Sequence, residues 1–213
     1  MTVVETVLQR SWRRAWGELG GSGSGEALCQ RLLDAWREPQ RRYHTLQHLA
    51  ECLQHLEPVR RLAEAPGEIE LALWFHDAVY DVRGHDNEAR SAAWAVDELR
   101  AAGVAEAAAT RVHGLVMATR HAARSETSDE ALLVDIDLAI LGASEERFAQ
   151  YEAQVRAEYA WVDEALFRSR RRDVLTGFLA RPTIYATAHF RNLLEAAART
   201  NLERSIARLE DRP

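Results

Sequence analysis

The sequence predicts an all-α protein, and three observations carry that expectation. Apolar residues recur at helical spacing along most of the chain, and the alternation expected of strands is weak. Glycine, proline and capping residues break this pattern at intervals suited to helices. The 213 residues, 47% of them hydrophobic, show one composition regime and no internal repeat, so a single helical bundle spanning 1–213 is expected.

The elements follow in order. Residues 3–19 read as an amphipathic helix, with Val4, Leu8, Trp12 and Trp16 near one face. The run Gly20 to Gly25 (GGSGSG) ends it and reads as a flexible loop. No Gly-Lys-Ser/Thr follows, so it is not a phosphate-binding loop. A second helix covers 27–36 and stops before Pro39; a third runs from His44 to about Leu56 and ends at Pro58. The fourth, from about Glu68 to Tyr80, is followed by a polar loop, 81–86, containing Gly84. Helices are expected over 88–101, stopped by Gly103, and over 105–121. After a turn at 125–128, Asp129 is placed to cap a helix carrying Asp135 and Asp137 and ending at Gly142. Ser144 opens a helix to about Tyr159; two more cover 162–179 and, after a break at Arg181 and Pro182, the stretch to Leu209.

Composition narrows the function. The net charge of −6 argues against a general nucleic-acid binder. All 27 cationic side chains are arginine. Of these, Arg168, Arg170, Arg171 and Arg172 form the densest group, spread by helical geometry over several faces. Cys29 and Cys52 are too few for a disulfide framework or a zinc site of their own and read as small core residues on helices. The first residues lack a basic stretch followed by an apolar one, and no apolar run approaches the roughly 20 residues of a membrane helix. A cytoplasmic protein without a membrane partner is expected.

The most informative feature is the doublet His76–Asp77, set in the apolar run from Leu71 to Tyr80. An imidazole and a carboxylate are tolerated there only when paired, hydrogen-bonded or metal-bound. Two segments offer partners: His44 to His48 upstream, and Asp135 to Asp137 downstream. On a helix His44 and His48, four apart, share a face. His55 lies about 10 Å beyond His48 at helical rise, too far for the same ion. His76 and Asp77 point roughly 100° apart on a helix and meet one ion only in the wedge between them. Asp135 and Asp137 point about 200° apart, and spacing does not choose between them. His113 and His121, about 12 Å apart along one helix, cannot share an ion; either could line a cavity. Asp86, Asn87 and Glu88 open a helix close in sequence to the doublet, which places Glu88 for a supporting role.

The order His48, His76–Asp77, Asp137 resembles the HD superfamily of metal-dependent phosphohydrolases. The segment Tyr43, His44, Thr45, Leu46, Gln47, His48 is also similar to the Tyr-His-Asn-x-x-His segment of the cyclic-nucleotide phosphodiesterases, with Thr45 where those enzymes carry Asn. More narrowly, the chain resembles a bacterial group of predicted metal-dependent HD phosphohydrolases. The resemblance rests on Arg41, Tyr43, His44 and His48; on Phe75 to Tyr80; on Asp86 to Glu88 with Ser91 and Ala92; on Ala118, Thr119 and His121; and on Asp135 to Gly142.

The resemblance implies an HD-type helical fold. It implies one divalent ion held by His48, His76, Asp77 and Asp137, with Asp135 the fallback ligand. His44 becomes the acid that protonates the leaving oxygen, and Asp77 serves catalysis as well as binding. Arg41 and His121 become phosphate contacts, with Asp135, Glu88 and His113 in support. The substrate implied is a small phosphorylated compound, with nucleotides among the candidates. Two imidazoles and two carboxylates suit Mn, Fe, Co or Zn, and Mg is retained as an option. Two alternatives stand beside this reading. One is a di-iron HD-type oxygenase, which would need His113 or His121 as a further ligand. The other is a nucleotide-binding or regulatory module that keeps the metal without turnover. The sequence leaves the oligomeric state open.

Overall fold

The computed structural model describes residues 3–121 and 125–210. Ten α-helices form the described residues, together with two short 3-10 helices, and no strand occurs among them. The chain divides into two compact units, between Ile136 and Asp137.

The first unit contains α1 (Val3–Glu18), α2 (Glu26–Ala35), α3 (Leu46–Val59), α4 (Pro66–Phe75), α5 (Asn87–Ala101), α6 (Glu106–Ala118) and most of α7 (Ser128–Asp137). Helix α4 is its centre: every residue from Gly67 to Phe75 is buried, and α1, α3, α5 and α6 pack around it. A helix apolar on all sides can be stable only when surrounded in this way. Trp12 stacks on Trp16, with ring centroids 5.3 Å apart, and meets Trp74 edge to face at 5.2 Å. The glycine-rich loop lies against this aromatic group. The Trp16 indole N–H donates to the Gly23 carbonyl at 3.1 Å, and a Cβ at Gly21 or Gly25 would come within 2.6 Å of the Trp16 ring.

The second unit contains a 3-10 helix (Leu138–Gly142), α8 (Glu145–Glu158), α9 (Glu164–Leu179) and α10 (Ala188–Glu210). Helix α10 packs on α9 and on the 3-10 helix. Gly142 allows the second contact, since a Cβ there would meet the Leu194 Cβ at 2.6 Å. Buried polar groups fix the backbone. Asn201 donates to the Leu141 and Ala143 carbonyls, both at 2.9 Å, and Tyr185 donates to the Leu138 carbonyl at 3.1 Å. Within the arginine group, Arg171 pairs with Glu152 and Arg168 donates to the Leu209 carbonyl, while Arg170 and Arg172 are exposed.

Several boundaries differ from expectation, each for a local reason. Helix α3 begins only at Leu46, because Thr45 is its N-cap and accepts from the Gln47 N–H at 3.3 Å. His44 therefore precedes the helix. Pro58 lies within the last turn of α3 instead of ending it. Helix α6 stops at Ala118, and His121 takes a left-handed conformation (φ 53°). Helix α7 is opened by Thr127 and Glu130, whose side chains bond each other's backbone N–H groups in a capping box. Asp129 instead accepts from the N–H groups of Glu64 and Ala65, both at 2.8 Å, just ahead of α4. The α-helical stretch expected to reach Gly142 ends at Asp137 and continues as the 3-10 helix.

Candidate metal centre

Helix α4 stops at Phe75, so His76 and Asp77 lie in a turn and not on a continuing helix. No glycine or proline dictates this stop; tertiary partners take up the carbonyls that a helix end leaves over. The Trp36 indole N–H donates to the Trp74 carbonyl at 2.9 Å. Arg41 donates to the carbonyls of Asp77 at 2.6 Å and Ala78 at 2.9 Å. It also reaches the His44 carbonyl at 3.3 Å. Arg41 thus ties the turn before α3 to the turn after α4. It lies between the rings of Trp36 and Tyr80, with its remaining N–H groups directed at Glu38. A substrate contact by Arg41 would have to displace one of these bonds.

Beyond the turn, Ser91 on α5 holds the following residues. Its hydroxyl accepts from the Val79 N–H at 3.0 Å. Asn87 bonds both backbone groups of Asp81, at 3.1 and 2.9 Å. The segment 86–92 therefore supports the site by shaping its loop. Glu88 is half-buried in the first turn of α5.

What this scaffold brings together is a group of ligand atoms. His48 and Cys52 lie one turn apart on α3, His76 at the end of α4, and Asp137 at the last position of α7. One donor atom from each falls within 4.8 Å of all the others. His48, Cys52 and His76 are buried, and Asp137 is half-buried. Asp77 borders the group: its Oδ2 lies 3.2 Å from His76 Nε2 and 3.9 Å from both His48 Nε2 and His44 Nε2. Three imidazoles thus converge on one carboxylate oxygen. The His44 ring stacks on Tyr80, with centroids 4.2 Å apart, and remains partly open to solvent.

The donor set fits a divalent ion. His76 Nδ1 lies 2.8 Å from the Leu73 carbonyl, which can only accept. That bond places the proton on Nδ1 and leaves the Nε2 lone pair directed into the group, as in histidine ligands oriented by a carbonyl. His48 Nε2 is 3.2 Å from His76 Nε2. Two imidazoles on one ion, each about 2.1 Å from it, would stand this far apart at an angle of about 100°, between octahedral and tetrahedral values. The Trp36 ring, 5.4 Å from that of His76 and 6.3 Å from that of His48, forms an apolar wall.

The structure thus brings together His44, His48, His76, Asp77 and Asp137. Asp135 is fully buried and is not a member of the ligand group. Neither is His113, exposed on α6, nor His121, half-buried beyond the end of that helix. Cys52 is the residue that sequence reasoning misses. Its one signal is the four-residue spacing from His48, which puts both side chains on one helical face. Cys29 behaves as the ordinary case: burial, with Glu26 nearby, pushes its thiol up to about 11, so it stays protonated near neutral pH.

No family model, curated protein or solved structure matches this chain in comparisons with known proteins. The class defined here is therefore a structural one: an all-helical protein with a buried His, Cys, His, Asp group able to hold a metal ion. No helix among the described residues is long and apolar enough to cross a membrane.

Proposed function

We propose that the protein is a metal-dependent phosphohydrolase of the HD type, acting on a small phosphoester, with nucleotides among the candidate substrates. The observation that carries this reading is the convergence of His44, His48 and His76 nitrogens on Asp77 Oδ2 at 3.2–3.9 Å. His48, His76, Asp77 and Asp137 would hold a divalent ion. When bound, such an ion supplies Lewis acidity toward a phosphoryl oxygen and acidifies water. The group found among the described residues is a single cluster, which suits one ion better than a di-iron pair.

The protein's own residues do the rest. His44 is the proton donor to the leaving oxygen. Its partial exposure lets it meet substrate, Tyr80 fixes its ring plane, and an imidazole nitrogen can hand a proton to an oxygen within reach. Asp77 would add its carboxylate to the ligand set through the oxygen that faces His44, His48 and His76. The Leu73 carbonyl holds His76 in the tautomer a ligand needs. Trp36 and the buried face of α3 keep bulk water from the inner side of the group.

The test is a panel of phosphomonoesters and phosphodiesters assayed with added Mn or Co. Wild type is compared with His76→Ala, Asp77→Ala and His44→Ala. Turnover lost in the first two, with metal retained in the third, is the expected result. Hydrolysis at the wild-type rate in both His76→Ala and Asp77→Ala would sink the proposal.

A further inference from the structure

We propose that Cys52 is itself a ligand of this centre, and that its thiolate restricts the centre to thiophilic divalent ions, zinc, cobalt(II) or iron(II), over magnesium, manganese and calcium. The inference rests on the metal reading above, though not on its phosphoester chemistry.

A buried cysteine is ordinarily a small hydrophobe, and its surroundings decide otherwise only when it faces other donors. Cys52 is 2% exposed and faces His48: its Sγ lies 3.7 Å from Nδ1 and 3.8 Å from Nε2. It also belongs to the four-atom group with His76 and Asp137.

A sulfur about 2.3 Å and a nitrogen about 2.05 Å from one ion are about 3.6 Å apart at the tetrahedral angle. The observed 3.8 Å corresponds to an angle of about 120°. Together with the angle of about 100° implied by the His48–His76 spacing, this lets His48 and Cys52 share one ion with His76 and with the bordering Asp77 and Asp137 carboxylates.

Sulfur is a soft donor, poorly matched to ions that prefer oxygen and water. A carboxylate-and-imidazole site binds both kinds of ion; one that includes a thiolate does not. The step is a proton-for-metal exchange: the Sγ–H bond breaks, the Sγ–metal bond forms, and the proton leaves to solvent.

The experiment uses the full chain, stripped of metal and reloaded with cobalt(II) without oxygen. Thiolate ligation gives an intense near-ultraviolet sulfur-to-cobalt absorption, distinct from the weaker visible bands of any cobalt site. Wild type should bind one cobalt per chain and show that absorption. Cys52→Ser should keep the cobalt and the visible bands, lose the near-ultraviolet absorption, and lower the preference for zinc over manganese by roughly 10-fold or more. Cys29→Ser should behave as wild type.

Cobalt bound in a His48-dependent way without the near-ultraviolet absorption would overturn the assignment of Cys52 and leave the metal centre standing. An absorption that vanishes in Cys29→Ser and persists in Cys52→Ser would also overturn it. Failure of wild type to bind cobalt, or binding unaffected by both His48→Ala and His76→Ala, would overturn the metal centre itself. Should Cys52→Ser fail to fold, Cys52→Ala takes its place, and the wild-type spectrum already decides whether any thiolate is bound.

Discussion

The two ends of α4 bury ionisable groups in opposite ways. Near its start, Glu68 receives the Arg111 guanidinium at 2.8 and 2.6 Å, and the fully buried Glu70 receives that of Arg14 at 2.9 and 2.6 Å. Each carboxylate oxygen there meets a planar two-point donor, and the pair is chemically complete. Just past its other end, His76 and Asp77 face His48, Cys52 and Asp137, whose donor atoms are themselves mostly lone-pair bearers. Such atoms approach each other closely only with a proton or a cation between them. Burial alone therefore shows that a group needs a partner. The kind of partner separates an ion pair that braces helices from a group of donors able to hold a metal ion.

The largest effect is expected at the site end. Asp77→Ala removes the oxygen shared by three imidazoles and should weaken metal binding by more than about 100-fold, beyond the range seen when a supporting residue is lost. Metal content after gel filtration checks this, and the melting temperature without metal should change little, because Asp77 is partly exposed. At the other end the expected effects exchange places. Arg14→Met leaves Glu70 buried with only the Arg60 Nε, 3.6 Å away, in compensation. The expected loss is about 3 kcal/mol in urea unfolding, the lower end for breaking a buried pair, with metal affinity unchanged. A variant at Arg14 that lost metal in proportion to stability would show that the two ends are not independent.

Much of this is legible in the amino-acid sequence. The helical class follows from periodicity, and the doublet His76–Asp77 stands out by its apolar surroundings. Histidine spacing and the HD resemblance supply His44, His48 and Asp137. What the sequence does not carry is where the helices stop beside the site. The residues from Ala72 to Ala78 contain no helix breaker, and the turn there is set by Trp36 and Arg41, both distant in sequence, taking up carbonyls. For the same reason Arg41 reads in sequence as a phosphate contact while the structure shows it bonded to backbone. Cys52 is hidden differently: only its four-residue spacing from His48 separates it from Cys29 in sequence, and the donors it faces become visible in the fold.

A smaller effect is expected where a buried polar side chain meets only backbone. In the second unit Asn201 satisfies two carbonyls, and Asn201→Ala leaves both without that donor. The cost should be about 1–3 kcal/mol in chemical unfolding, with metal content intact. The smallest effect belongs to Glu57, on the margin of the Arg14 pair. The Arg14 hydrogen bond, aided by the charges of Arg14 and Arg10, holds the Glu57 carboxyl below its ordinary value of 4.5. A carboxylate whose folded-state pKa is lowered contributes stability above the unfolded value, and that contribution is lost as the pH falls below about 4.5 toward the folded value. Because the Glu57 side chain is about a third exposed, solvent screening limits the contribution to roughly 0.5 kcal/mol. Glu57→Gln should therefore be slightly less stable than wild type at pH 7 and indistinguishable from it well below pH 4.5. A stability gap of the same size at both pH values would mean that Glu57 acts through packing, and that Glu70 alone answers the charge of Arg14.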